Sequence, residues 1–240
     1  MSALTGCFLA LCCALCLGCL GCADAPGRPV PGPEVPRPDQ ILDFATLYTK
    51  NCAGCHGAKG KNGAAISLSN PVYLAFAGEA TVRKITVNGV ADKLMPGFAR
   101  SSGGTLTDPQ IDSLVHGIFH AWGHPNVLAG GPVPPYSVDE DANTNRVKNG
   151  GQKMFADFCG RCHATAAGLI VDPAYLALVS DQSLRNTIVA GRPDLGMPDW
   201  RSDISGPVGR AMTDQEISSI VAWLAAQRTT YPGQPYSSPE

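Results

Sequence analysis

The chain carries little net charge and has no cysteine to spare for a disulfide framework. Its 18 Lys and Arg residues nearly balance 20 Asp and Glu residues, which leaves a formal net charge of −2 over 240 residues. This balance gives no argument for nucleic acid or for a strongly acidic partner. Of the ten cysteines, six lie within the first 22 residues and four fall in two short motifs further along. The body of the protein is therefore not held together by disulfide bonds.

The sequence also lacks the pattern of β-strands and an apolar run long enough to span a membrane. No convincing alternation of apolar and polar residues appears, whereas apolar residues recur at helical spacing in several segments. The apolar run at 8–20 is shorter than the about 20 residues that a membrane-spanning helix requires. It ends in small residues, which favours a secretory signal, although no Lys or Arg precedes it. We predict an all-α protein with a signal peptide at 1–22.

Cysteines recur every three residues at the end of this apolar segment. They are Cys13, Cys16, Cys19 and Cys22, and such a spacing can hold an iron–sulfur cluster. Their place inside a targeting-like segment favours processing of the chain instead. Leu-Gly-Cys ends at both Cys19 and Cys22 and resembles a bacterial lipoprotein signal, although the third residue before each is Cys where that family usually has Leu. We predict lipidation at Cys22 or Cys19, with simple cleavage as the alternative.

Six prolines punctuate residues 23–40. Proline fixes φ and removes a backbone donor, so we expect an extended, semi-rigid spacer. A tether that holds a folded body away from a membrane is its natural use. Lipidation and simple cleavage both imply a mature protein in the periplasm or another extracytoplasmic space, and the predicted lipidation would also anchor it to the membrane by lipid.

Two cysteines followed directly by a histidine form the most informative motif, and it occurs twice. C-A-G-C-H begins at Cys52, and C-G-R-C-H begins 107 residues later at Cys159. Each thiol can form a thioether with one vinyl group of a haem, and the adjacent histidine is then held against the iron. A chance Cys-x-x-Cys near a histidine is the alternative for one copy, but the repetition argues against it. We predict two covalently bound haem c groups, held by Cys52, Cys55, His56, Cys159, Cys162 and His163.

The two motifs belong to two copies of one run of segments, which indicates a duplication. In each copy a helix precedes the motif. An Asn-Pro or Asp-Pro helix start, a helix that ends in glycine, a Met-Pro pair and a capped final helix follow it. A Pro/Gly-rich and then acidic stretch separates the copies. We predict domains at 41–125 and 146–230, joined by a linker at 126–145 and followed by a tail at 231–240.

This order of segments resembles class I c-type cytochromes over about residues 41–122 and 146–228. The resemblance implies an all-α fold of two tandem cytochrome c domains, each wrapped around one covalently bound haem. It also implies that the first and last helices of each domain cross beside the haem. Each copy has roughly 80–85 residues, which gives a small core by itself. We therefore expect each domain to be unstable without its haem.

A methionine before proline stands at an equivalent place in each copy. Met95 and Met197 are two of only five methionines, and we predict that each is the sixth ligand of its haem iron. Ordinary core packing is the alternative. A thioether is a soft donor that favours reduced iron, so His/Met ligation raises the reduction potential. Filling both axial positions also favours electron transfer over catalysis.

The resemblance further implies partners for the proximal histidines and the haems. In class I cytochromes a proline carbonyl after the motif commonly accepts a hydrogen bond from the histidine and orients its ring. Tyrosine and arginine side chains can donate to the haem propionates. The alternatives are helix-start prolines, tyrosines packed in the core and arginines on solvated helix faces. The candidates that repeat between the copies are Pro71, Tyr73, Arg83, Pro173, Tyr175 and Arg185.

These observations favour an extracytoplasmic electron carrier over an enzyme. By resemblance, its partners are redox proteins such as a quinol-oxidising cytochrome complex and a terminal oxidase, to which it is either freely tethered or fixed as a subunit. The first alternative is a dihaem enzyme, such as a peroxidase or a sulfur-compound dehydrogenase, and the second is a haem-based sensor. Both alternatives need an open or unusually ligated iron, which the equivalent methionines argue against.

Overall fold

The computed structural model describes residues 32–91, 93–129, 131–138, 150–163, 170–201 and 209–230. These residues are helical, and they include no strand, only two isolated β-bridges. The predicted all-α content is therefore confirmed, while the division into two tandem domains stays a prediction. Residue contacts separate the chain into two compact units, 1–37 and 38–240. All the helices described lie in the larger unit.

The first half of the larger unit, residues 38–129, surrounds the first Cys-x-x-Cys-His motif with five α-helices. They are α1 (Phe44–Asn51), α2 (Ala53–His56), α3 (Pro71–Ala77), α4 (Glu79–Asn88) and α5 (Asp108–Trp122). Short 3₁₀ turns occur at Pro38–Gln40 and Arg100–Ser102. Helix α1 leads into the motif, α2 contains its histidine, and α5 closes the half by packing on α1 and α4.

The second half, residues 150–230, has the same order of helices. They are α6 (Gly151–Phe158), α7 (Gly160–His163), α8 (Pro173–Leu178), α9 (Asp181–Ala190) and α10 (Asp214–Ala225). A 3₁₀ turn at Pro193–Leu195 follows α9. Helix α10 packs on α6 and α9, as α5 does on α1 and α4. The repeated order of the sequence motifs therefore corresponds to a repeated order of helices.

The final helix of each half begins with the predicted capping box. In α5 the Thr107 backbone N–H donates to Gln110 Oε1 at 3.0 Å, and in α10 the Thr213 N–H donates to Glu216 Oε2 at 2.8 Å. Each pair satisfies backbone donors that the first turn of a helix leaves without partners. The apolar stripes of α5 and α10 that follow these starts are both buried.

The first and last helices of each half pack directly against each other, as the resemblance implies. A Cβ added to Gly117 of α5 would come within 2.2 Å of the ring of Phe44 in α1. A Cβ added to Gly151 of α6 would come within 2.4 Å of the Ser219 carbonyl oxygen in α10. A glycine at each contact therefore allows the two helices to approach closely.

The two halves share one hydrophobic core, because their buried apolar residues form a continuous cluster. Helix α3 of the first half packs on α9 of the second. The described part of the predicted linker joins the same contact: the rings of Phe76 and Tyr136 lie 5.2 Å apart, and Gln182 Nε2 donates to the Tyr136 carbonyl oxygen at 2.7 Å. The segment between the halves thus contacts helices of both.

Candidate functional site

The first motif lies where α1 ends and α2 begins. Cys52 is the residue between the two helices and is half-buried, Cys55 is exposed and His56 is buried. The Tyr48 hydroxyl donates to the Gly57 carbonyl oxygen at 2.9 Å and ties the end of the motif back to α1. The cysteines of the described residues form no disulfide, so these two thiols remain able to bond a ligand.

The ring of His56 is oriented by a backbone carbonyl from the loop that follows the motif. Its Nδ1 donates to the Ile66 carbonyl oxygen at 2.8 Å, which leaves Nε2 as the nitrogen with a lone pair. This corrects the expectation for Pro71, whose carbonyl was a candidate for the same bond. Pro71 is the first residue of α3, behind the N-cap Asn70, and it has the helix-start role that was the alternative.

Burial shifts the pKa of the first cysteine and of the histidine in each motif toward the neutral form. It raises the pKa of Cys52 to about 11, with a smaller contribution from the charge of Cys55, and raises the pKa of Cys159 to about 11 in the same way with Cys162. Burial also lowers the pKa of His56 and of His163. A neutral imidazole is the form that binds a metal.

The second motif opens into a cavity between α6, α9 and α10. Cys159, His163 and Met197 all line it, and most of the remaining wall is apolar. The cavity has a volume of about 100 Å³. The structure therefore brings the predicted proximal and sixth ligands of the second copy to one apolar cavity.

The two Met-Pro loops share one backbone hydrogen bond and a glycine before the loop. Val90 N donates to the Met95 carbonyl oxygen at 2.9 Å, and Arg192 N donates to the Met197 carbonyl oxygen at 2.9 Å. Each loop follows a glycine with positive φ, Gly89 (71°) or Gly191 (68°). A Cβ on Gly89 would come within 2.7 Å of the Met95 carbonyl oxygen, and a Cβ on Gly191 would come equally close to that of Met197. These glycines fix where both methionines leave the backbone.

The two repeated arginines pair with carboxylates in this structure, and a bond from them to a haem propionate stays a prediction. Arg83 Nε donates to Asp112 Oδ1 at 2.7 Å, and its Nη2 lies 3.8 Å from Asp108 Oδ1. Arg185 is buried, and its Nη2 bonds to Asp214 and to the Pro135 carbonyl oxygen. Both guanidinium groups pair with the first turn of the last helix of their half, where an acidic residue repeats. They therefore link helices within their own half.

The remaining candidates differ between the halves. Tyr73 is buried in the core, where its phenol meets that of Tyr136, and burial raises its pKa. Tyr175 is 47% exposed and lines the cavity of the second half, so it remains a candidate contact for a group bound there. The Pro173 carbonyl oxygen accepts a hydrogen bond from Thr229 N at 3.2 Å. Tyr73 and Tyr175 occupy equivalent positions in the sequence, but their surroundings in the structure differ.

The donor set fits haem c in chemistry. Two thiols, a neutral imidazole with a free Nε2 and a thioether are the groups that bind haem covalently and ligate its iron. The second half adds an apolar cavity in which thiol, imidazole and thioether all meet. In the first half, His56 is buried and its ring is held by Ile66, as a proximal ligand requires.

Sequence analysis missed four residues that build these sites. Ile66 contributes a backbone atom, for which a side chain gives no signal. Gly89 and Gly191 are the predicted helix ends, but their contact with the backbone of the Met-Pro loop was missed. The glycine that repeats before each Met-Pro pair was the available signal for this contact. Arg192 contacts the first half across more than 120 residues of sequence, and no local pattern marks such a contact.

Some predictions fall outside the described residues. These are the signal peptide at 1–22, lipidation at Cys22 or Cys19, the first half of the tether at 23–40, the acidic end of the linker and the tail at 231–240. Among the described helices, none has the length and apolarity needed to cross a membrane.

Comparison with known proteins gives one family. Residues 39–116 match the family of cytochrome c oxidase, cbb3-type, subunit III. The match supports a class I c-type cytochrome domain in the first half, with covalently bound haem c and electron transfer as its chemistry. No curated protein and no solved structure matches the chain significantly.

Proposed function

We propose that this protein is a dihaem c-type cytochrome that carries electrons between extracytoplasmic redox proteins. The observation that carries the proposal is the cavity of the second half, where Cys159, His163 and Met197 meet. This cavity lies outside the residues that match the cytochrome family. It nevertheless contains a cysteine, a histidine and a methionine, and the first half has the same three residue types at equivalent positions. The backbone hydrogen bond that the two Met-Pro loops share supports the same conclusion.

The residues of each half have separate roles toward the haem. The two thiols of each motif form thioethers, and His56 or His163 supplies the proximal nitrogen. Met95 and Met197 would supply the sixth donor, which would leave no position at the iron for a substrate. The bound group supplies Fe(III)/Fe(II) cycling, and His/Met ligation raises its potential. The apolar wall excludes water, which tunes that potential further.

A fully ligated iron favours the carrier over the two alternatives. A dihaem peroxidase, a sulfur-compound dehydrogenase or a haem-based sensor needs an iron that a small molecule reaches. Both halves instead have a methionine in the same fixed loop. The carrier therefore accounts for the repeated Met-Pro geometry, which an enzyme with one open haem would not require twice.

The family of the first half suggests the partners. Its description names a subunit of a cbb3-type cytochrome c oxidase, so a terminal oxidase is the proposed acceptor and a quinol-oxidising cytochrome complex the proposed donor. We propose that a lipid on Cys22 or Cys19 and the proline-rich tether hold the protein at the membrane surface. Either a free carrier or a fixed subunit is compatible with such an anchor.

Mass spectrometry of the mature protein tests the proposal. The expected mass includes two haem additions that remain after acid–acetone extraction, together with a lipid-modified amino terminus. Cys159→Ala combined with Cys162→Ala should remove one haem, and Cys52→Ala with Cys55→Ala should remove the other. A single haem in the wild type, unaffected by the second-half substitutions, would refute the dihaem assignment.

A further inference from the structure

Arg192 and Asp194 form a largely buried ion pair in the turn that leads to Met197. Arg192 Nε lies 3.0 Å from Asp194 Oδ1, and Nη2 lies 2.9 Å from Oδ2. The two side chains are only 12% and 3% exposed. Burying a charge is costly unless its remaining hydrogen-bonding groups also find partners. The pair therefore depends on what surrounds it.

The partners come from the first half of the chain. Arg192 Nη2 donates to the Gly63 carbonyl oxygen at 2.9 Å, and Asn62 N donates to Asp194 Oδ2 at 2.9 Å. Asn62 has a φ of 62°, the one positive φ of a non-glycine residue in the described part of the chain. Asparagine adopts this conformation more readily than most residues. The loop is thus shaped to present its backbone to the ion pair.

The contacted loop is the one that holds the first proximal histidine. A Cβ on Gly63 would come within 2.2 Å of the Cys55 carbonyl oxygen and 2.6 Å of the His56 carbonyl carbon, so the loop lies directly on the motif. The same loop ends at Ile66, whose carbonyl orients His56. Arg192 therefore contacts the backbone that fixes His56.

Arg192 also belongs to the second site. Its backbone N–H donates to the Met197 carbonyl oxygen at 2.9 Å, and its carbonyl accepts from Met197 N at 2.9 Å. One residue therefore closes the loop of the second methionine with its backbone and reaches the loop of the first histidine with its side chain.

The guanidinium is the end of the ion pair that reaches the motif. It contacts the loop at Gly63, the residue packed on Cys55 and His56, whereas Asp194 contacts the loop one residue earlier, at Asn62.

We propose that Arg192 is a positioning residue that raises the reduction potential of the first haem from the second half of the chain. The proposal rests on the dihaem function proposed above. A positive charge near the proximal histidine disfavours Fe(III) relative to Fe(II), and Coulomb interactions are stronger away from water. Asp194 opposes this effect and holds the guanidinium in place.

Redox potentiometry of the full-length protein with both haems tests the proposal. The variants are Arg192→Gln, Arg192→Lys and Asp194→Asn, and Met95→Ala identifies which potential belongs to the first haem. Arg201→Gln is the matched control, because Arg201 also pairs with an acidic residue two positions away, Asp199, but donates to the Val127 carbonyl oxygen instead of the haem loop.

We expect Arg192→Gln to shift the first potential downward, Asp194→Asn to shift it upward, and Arg192→Lys to keep most of the wild-type value. Arg201→Gln should leave the first potential in place. Equal first potentials in Arg192→Gln and Arg201→Gln would overturn the inference. If Arg192→Gln does not incorporate its haems, Asp194→Asn decides the question. A first reduction potential that does not rise in Asp194→Asn would then overturn the inference.

Hydrogen exchange of the Asn62 amide gives a second readout that does not depend on potential. Asp194→Asn should reduce the protection of this amide, since the charged acceptor is lost, and unchanged protection would argue against the contact. A mass with one haem would refute the dihaem function itself. Two haems with unshifted potentials would refute the role of Arg192 alone.

Discussion

Gly151 lies against Trp223, so that a Cβ added to this glycine would come within 2.6 Å of the Trp223 Cβ. The first half has the reverse arrangement, with the large ring on the first helix at Phe44 and the glycine on the last at Gly117. Phe44 and Gly151 both precede their motif by eight residues, and Gly117 and Trp223 both follow their capping threonine by ten. Each helix pair thus contains one ring and one glycine.

This relationship predicts that the glycines cannot be enlarged without loss of stability. Gly151→Ala should lower the free energy of unfolding by about 1–3 kcal/mol, because overpacking forces side chains or backbone to move. Gly117→Ala should cost less, since its close neighbour is the ring of Phe44 rather than a backbone carbonyl, and Phe44→Leu should recover part of the loss. Denaturant unfolding of the haem-loaded protein measures this.

Gly131→Ala is the control for the glycine variants, because a Cβ there meets no atom within 4 Å. It should leave the unfolding midpoint where it is. If Gly151→Ala proves as stable as Gly131→Ala, the close approach of α6 and α10 is not required.

Asn70 joins the two halves through a single side chain, and its loss should destabilise both. Its Oδ1 accepts from Val72 N at 3.0 Å and caps α3, while its Nδ2 donates to the Ala190 carbonyl oxygen at 2.8 Å at the end of α9. Asn70→Ala should cost about 1–3 kcal/mol, from the lost cap and a buried carbonyl left without its donor. Thermal unfolding measures the change.

The second half offers a matched control for this substitution. Asp172 is the N-cap of α8 at the equivalent position and accepts from Tyr175 N at 2.7 Å. Asp172→Ala removes a cap alone, so it should cost less than Asn70→Ala. Equal losses would mean that the bond from Asn70 to α9 contributes nothing.

The two methionines separate a carrier from a catalyst. The wild-type reduced protein should bind carbon monoxide slowly or hardly at all, because a Met bond must break first. Met95→Ala should open the first haem and lower its potential, since the soft thioether no longer stabilises Fe(II). Met197→Ala should do the same at the second haem. Carbon monoxide titration with potentiometry measures both, and fast stoichiometric binding to one haem of the wild type would favour the enzyme.

Stability of the last helix should fall in acid through Glu216. Its hydrogen bonds with Arg210 lower the pKa of this carboxyl from an ordinary 4.5 to about 2. A carboxyl with a lowered folded pKa contributes stability above its unfolded pKa, and this contribution is lost as pH falls from about 4.5 to about 2. Glu216→Gln should therefore lower the melting temperature at pH 7, with the difference from wild type vanishing near pH 2.

Thermal unfolding between pH 2 and pH 7 checks this, with the exposed Glu34→Gln as control. The effect at neutral pH should be modest, about 0.2–1 kcal/mol, because one side of the pair faces water. A difference that is the same at every pH would show that the charge of Glu216 is not its cause.

The sequence predicted those parts of the protein that repeat locally. The Cys-x-x-Cys-His motifs, the capping boxes at Thr107 and Thr213 and the Met-Pro loops are each defined within a few residues, and duplication marked them twice. The helical fold followed from the same periodicities and is confirmed. The haem ligands themselves stay predictions, supported in the second half by the cavity that contains His163 and Met197.

Tertiary contacts decided what the sequence could not predict. Arg83 and Arg185 occur at equivalent positions in the two halves, as residues that contact a haem in each half would. Asp108 and Asp214 also occur at equivalent positions, and each arginine pairs with the aspartate of its own half. The bond from His56 goes to Ile66 rather than Pro71, because the loop length and not the residue type brings a carbonyl to the ring. Backbone acceptors of this kind leave no trace in side-chain patterns.

The contact of Arg192 with Gly63 means that the two halves are not interchangeable, although they carry the same motifs. Val90 is the residue at the position of Arg192 in the first Met-Pro loop, and an apolar side chain offers neither charge nor donor. A chain with an apolar residue at this position in both halves would keep every haem-binding motif and both capping boxes. It would lose the bond to the Gly63 loop, so two sequences with identical motifs would not be equivalent proteins.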